Sequence, residues 1–114
     1  MKYLLLIYTD PQSFDPNTAD VLHKEYGEFT QSILESGEMQ GGDALEAVDA
    51  ATTVRVRNGK RSTTDGPFAE TKEVLGGFYI VDVENLDRAI ELASQIPDAR
   101  TGSIEVRPMM GMGG

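Results

Sequence analysis

Two short segments of this 114-residue chain are apolar on both alternating faces: Tyr3-Leu4-Leu5-Leu6-Ile7-Tyr8, and Phe78 to Val83, where Phe78 and Ile80 alternate with Tyr79, Val81 and Val83. Runs this short suit strands better than helices, and a strand apolar on both faces needs a cover on each. The chain offers two amphipathic helices for that task. Asp15-Pro16 supplies a cap followed by proline at the first helical position, Leu22, Tyr26, Phe29 and Ile33 form one stripe, and Gly37 ends it. Asn85 caps the second helix, whose Leu86, Ala89, Ile90 and Ala93 recur at i, i+3, i+4 and i+7 until Pro97 bars continuation. Two helices cover one face of one sheet. The other face predicts a two-fold partner, a second copy of the chain.

Between these elements the pattern predicts an irregular strand over Met39 to Ala47, bulged around Gly41-Gly42. Thr52 to Arg57 alternates strictly, and Asn58-Gly59 signals a two-residue hairpin with a return strand through Thr63. Asp65-Gly66-Pro67 makes a turn, Ala69 to Val74 allows about one helical turn, Gly77 to Val83 is a strand, and Ser103 to Arg107 closes the chain as the last. This order predicts an α+β sandwich of the split βαβ kind with an inserted β-hairpin. Residues 1–108 form one domain, and the Met/Gly-rich stretch 109–114 is expected to be a mobile end or a clasp at a dimer edge.

The length excludes a two-domain enzyme. With no cysteine and one histidine, thiolate zinc, Fe–S clusters, a cysteine nucleophile and multi-histidine metal sites are excluded as well. Asp82, Glu84 and Asp87 flank a helix start, where acids complement the dipole, and no Asp-x-Asp-x-Asp-Gly loop occurs, so no metal is expected. A net charge of −9 opposes nucleic acid and anionic membranes. One exception to the acidity stands out: residues 51–64 carry four bases and no acid. The apolar run after Met1 is too short to span a bilayer and lacks the flanks of a signal peptide, which places the protein in the cytoplasm.

Asp65-Gly66-Pro67-Phe68-Ala69-Glu70-Thr71-Lys72-Glu73, followed by Gly76-Gly77-Phe78-Tyr79, resembles the YCII-related superfamily, in particular its branch named for the Asp-Gly-Pro-Phe motif. The likeness extends to the Met1-Lys2-Tyr3 start, the Thr52-Thr53-Val54-Arg55 strand and Ser103 to Pro108. It implies a ferredoxin-like fold assembled as a dimeric α+β barrel.

Turn chemistry alone explains Asp65, Gly66 and Pro67: an aspartate that accepts backbone N–H groups, a residue free to take positive φ, and a fixed φ after it. The functional alternative is a cleft for a small anionic or polar metabolite. Phe68, Glu70 and Lys72 then follow a rigid turn close to Arg55 and the other hairpin bases. The resemblance also implies an acid–base pair, a histidine on the first helix with an aspartate near the end of the second. Tyr26 stands at the histidine's place, and Asp98 is displaced past Pro97, so the pair is expected to be missing. Tyr26 is read either as a core tyrosine or as a pocket hydroxyl facing Asp65, with Lys72 supplying positive charge, while His23 falls at the border of the apolar stripe and is expected to be exposed. Two functions remain in view: a cofactor-independent lyase or isomerase using Tyr26 and Asp65, and a non-catalytic ligand-binding or regulatory dimer.

Overall fold

The computed structural model describes residues 1–111. The apolar run forms β1 (Lys2–Thr9), followed after two short 3-10 turns by α1 (Ala19–Glu35) and β2 (Met39–Ala44). Then come β3 (Thr52–Arg57), β4 (Lys60–Asp65), β5 (Val74–Asp82), α2 (Leu86–Gln95), a 3-10 turn at Pro97–Arg100 and β6 (Ser103–Pro108). β1 lies at the centre of a four-stranded antiparallel sheet ordered β2-β5-β1-β6, while β3 and β4 pair only with each other. This α+β arrangement is compatible with a ferredoxin-like fold.

The two apolar strands are treated unequally on their two faces. Tyr3, Leu5, Ile7, Tyr79, Val81 and Val83 are buried with Phe29 and Ile33 of α1 and with Ala89, Leu92 and Ala93 of α2. Leu5 and Val81 are completely inaccessible, each burial being worth ~2 kcal/mol. Phe29 meets Tyr79 edge to face, ring centroids 5.2 Å apart, and the Tyr79 hydroxyl shares a 2.7 Å hydrogen bond with Thr30 Oγ1. That satisfies the one polar atom on a core ring. On the opposite face Leu4, Leu6, Phe78 and Ile80 are half-buried, and among the described residues no helix lies over them. The thinnest dimension of the molecule, 18 Å, is that of one sheet and one helix layer.

Caps act where the residue types require. The Asn85 side chain accepts from Arg88 N at 3.0 Å, and the Asp15 carboxylate accepts from Asn17 N at 2.9 Å, although the latter opens a 3-10 turn and α1 proper begins at Ala19. β2 ends at Ala44 rather than Ala47: Leu45 N still donates to Gly76 O of β5 at 2.9 Å, and the chain then leaves the sheet for a 3-10 turn at Val48–Ala50. β4 runs two residues longer than expected, to Asp65 opposite Thr52. The helical turn expected over Ala69 to Val74 does not form. Val74 already belongs to β5, and the Thr71 hydroxyl donates to Glu73 O at 2.5 Å in place of a helical bond. Asn58 and Gly59 both have positive φ, 54° and 75°, as a tight turn between twisted strands needs.

Of the 109–114 stretch, residues 112–114 lie outside the described residues, and Met109, Met110 and Gly111 are exposed and irregular. No helix of the described residues is long and apolar enough to cross a membrane.

Candidate functional site

Tyr26 sits on the stripe of α1 that faces the core, half-buried, and its hydroxyl donates to Asp98 Oδ2 at 2.6 Å. The sequence pattern expected these residues to be kept apart by Pro97. The structure corrects this: Pro97 ends α2 and starts the Pro97–Arg100 turn, which swings Asp98 back against α1. The turn is fastened at both ends. Gly102 N donates to Asp98 O at 2.7 Å, and Arg100 grips Glu25 of α1 with two bonds of 2.9 Å while its Nε donates to Pro97 O at 3.1 Å. Gly102 is the one residue type that fits here, because a Cβ would lie 2.1 Å from Tyr8 O.

The electrostatics follow from the geometry. Burial raises the Tyr26 phenol well above its ordinary value, and the hydrogen bond to the Asp98 carboxylate raises it further. The hydrogen bonds from Arg100 hold the Glu25 carboxyl below its usual range. A phenol pushed upward keeps its proton at neutral pH.

Asp65 occupies a different environment. It is exposed at the end of β4, and among the described residues its carboxylate has no hydrogen-bond partner. The turn after it is held by main chain and by a threonine: Gly66 N donates to Ala51 O at 2.7 Å, and Thr53 Oγ1 donates to Gly66 O at 2.8 Å. Arg55 Nη2 reaches Phe68 O at 3.4 Å and so braces the motif segment. Glu70 and Lys72 are exposed, as is His23.

Phe68, 80 % exposed, overhangs a cavity of about 580 Å³. Its walls come from Tyr8, from Leu45 to Val48 with Ala50 and Ala51, from Pro67 to Ala69, and from Thr71 and Glu73 to Leu75. Tyr8 follows Leu4 and Leu6 on the uncovered side of β1, which makes the cavity continuous with that face. The lining is largely apolar, with the carboxylates of Glu46 and Glu73 as its charges. Tyr26, Asp65, Arg55, Glu70 and Lys72 do not line it. Of the expected site residues, therefore, the fold brings Phe68 to a cavity and Tyr26 to Asp98. It does not bring Tyr26 and Asp65 into one cleft, because Tyr26 sits on α1 against the core and Asp65 on the separate β3–β4 sheet. The apolar stretch Leu45 to Ala51 was missed, although Leu45, Ala47, Val48, Ala50 and Ala51 form an apolar-leaning run where a plain connection would be polar. Among the described residues no three His, Cys, Asp or Glu side chains gather as a metal site.

A four-stranded antiparallel sheet with two helices on one face, an apolar opposite face and a cavity beside the Asp65–Phe68 turn defines a small α+β protein. Residues 1–112 match the YCII-related domain, and the chain belongs to that family. It is similar to the uncharacterized protein R00369 of Rhizobium meliloti (strain 1021), with 34 % identity over 114 residues covering 96 % of this chain and 92 % of that protein.

Proposed function

We propose that this protein is a ligand-binding homodimer of the Asp-Gly-Pro-Phe type, its β3–β4 ribbon an insertion in a ferredoxin-like plan. The open faces of two sheets meet to form an α+β barrel, and the cavity beside Phe68 receives a small molecule. The observation that carries the reading is the uncovered row of Leu4, Leu6, Phe78 and Ile80 leading into an apolar cavity. The accessible surface supports it. At 8192 Å² it exceeds by about 2000 Å² the ~6100 Å² usual for a folded monomer of 12.4 kDa, and obligate homodimer interfaces hide ~2000 Å² or more in total.

The cavity's size falls within the ~300–1000 Å³ of small-molecule sites. Its two carboxylates repel an anion, and the bases expected to attract one lie elsewhere. The ligand is a largely apolar compound carrying at most a neutral polar or basic group. Binding without turnover is the better-supported role, because Tyr26 keeps its proton and is spent on Asp98. Neither Tyr26 nor Asp65, the pair expected to carry out acid–base chemistry, lines the cavity.

A thermal-shift screen with apolar, basic and anionic metabolite sets tests this reading. Apolar or basic compounds should raise the melting temperature of the wild type and lose that effect on Ala50→Trp, which fills the cavity, while keeping it on Tyr26→Phe. Stabilisation by anions alone, or compounds acting equally on Ala50→Trp, would overturn the assignment. Conversion of a bound compound, followed by NMR, would replace the binding role with an enzymatic one.

A further inference from the structure

We infer that the cavity beside Phe68 takes a small apolar amine, its ammonium group neutralised by Glu46 and Glu73 and its hydrocarbon part held by the apolar walls. The inference rests on the ligand-binding role proposed above and narrows the ligand to one charge class. Both carboxylates belong to segments that run side by side: Leu45 N donates to Gly76 O at 2.9 Å, which sets the connection after β2 against the start of β5, and Glu46 and Glu73 line the cavity from these two segments. The ion pairs among the described residues take up other acids, such as Glu38 with Arg88 and Glu25 with Arg100, and include neither Glu46 nor Glu73. A neutral ligand filling the cavity would strip water from both carboxylates and return no donor, which is costly. An ammonium returns three donors and the compensating charge.

The rings agree. Tyr8 and the largely exposed Phe68 bring two aromatic side chains to the same lining, and a cation is attracted to the face of such a ring.

Charge around the cavity points the same way. The two stretches that supply most of its walls, residues 45–51 and 67–75, hold four acids and one base, Lys72, and Lys72 does not line the cavity. Arg55 touches the motif segment at Phe68 O and is not among the lining residues either. The chain as a whole carries −9, a field that concentrates cations and turns anions away. A bare inorganic cation would leave the remaining walls, Leu45, Val48, Val74 and Leu75 among them, facing water across a volume of about 580 Å³. Hydrocarbon against those walls is what removes that water, so the fitting occupant joins an amine to an apolar body.

Titration calorimetry of the full chain at neutral pH, with matched n-alkyl and phenylalkyl amines and alcohols of graded length, tests the amine. In the pair that binds best, the amine should bind the wild type at least about tenfold more tightly than its alcohol, and added salt should shrink that margin. Glu46→Gln/Glu73→Gln should keep the far-ultraviolet dichroism and bring the amine to within about twofold of the alcohol. An amine that binds the wild type no more tightly than its alcohol, or a preference that survives in the double variant, overturns the amine assignment; alcohol binding that is lost on Ala50→Trp then leaves the ligand-binding cavity standing. Failure of every pair to bind, or binding that Ala50→Trp leaves intact, overturns both.

Discussion

Tyr26 and Asp98, 72 residues apart in the chain, meet through a 2.6 Å hydrogen bond that ties the first helix to the turn following the second. Because the phenol donates to a carboxylate, the bond is of the stronger, charge-assisted class. Tyr26→Phe keeps the ring in its packing and removes the donor, and it should cost about 1.5–3 kcal/mol in urea unfolding. Tyr26 is a raised acid, so the unfolded chain releases its proton first. The stabilisation is complete below about pH 10, the phenol's ordinary value, and fades as pH rises beyond it. Compared with Tyr26→Phe, alkaline difference absorbance of the wild type should assign to Tyr26 a phenol that ionises only on unfolding. A Tyr26 phenol that ionises at its ordinary value in the folded protein would show that the bond does not persist in solution.

A second linkage runs in the opposite direction. Two hydrogen bonds of 2.8 Å from Arg88, with a further bond from Ser36, hold the Glu38 carboxyl down at about 2. A lowered carboxyl stabilises the fold above its unfolded value of 4.5 and loses that contribution as pH falls towards 2. The pair is partly exposed, so Glu38→Gln should cost only about 1 kcal/mol at pH 7. The gap between variant and wild type should narrow steadily in thermal melts as pH falls from 4.5 towards 2. A gap that does not narrow would show that the lost stability comes from packing.

The elements of the fold were legible because local signals agreed with the tertiary ones. Leu22, Tyr26, Phe29 and Ile33 mark a helix face, Asn58-Gly59 a turn, Asn85 a cap, and the doubly apolar β1 a central strand. What misled the site assignment was distance along the chain. Pro97 read as a barrier to Asp98, whereas in space the proline creates the 3-10 turn that carries Asp98 to Tyr26. The motif after Asp65 drew attention to its charged residues, yet Glu70 and Lys72 lie exposed on an irregular, bent segment. From this segment Pro67, Phe68, Ala69, Thr71 and Glu73 shape the cavity. Its other wall, Leu45 to Ala51, carries no chemical signature in sequence, because small apolar residues in a connection become a binding surface only once the sheet edge is beside them.

Gly102 offers a purely steric test of the Asp98 turn. Its missing Cβ leaves room for Tyr8 O, which an added methyl would approach to 2.1 Å, with Asp98 O also near at 3.3 Å. Both neighbours are main-chain atoms and cannot swing aside. Gly102→Ala should therefore destabilise the protein by about 3 kcal/mol, the upper end for overpacking, measured by urea unfolding. A loss under 0.5 kcal/mol would mean that β6 and its preceding turn shift freely, an outcome at odds with the fastened geometry around Asp98.

The two faces of the central strands provide the sharpest contrast. Val81 is fully buried under the helices and Leu6 lies on the uncovered side, although sequence alone gives both the same apolar character. Val81→Asp places a carboxylate in the monomer's own core and should cost about 3–5 kcal/mol, enough to unfold much of the population. Leu6→Asp should leave the fold of each chain intact, with helical dichroism and a cooperative melt, while driving the sedimentation profile from dimer to monomer. The register sets this difference: Leu6 pairs with Phe78 on the open side, whereas Tyr3 pairs with Val81 on the covered one. If Leu6→Asp dimerised as tightly as the wild type, the open face would not be the interface, and the contact between copies would have to be sought on another surface.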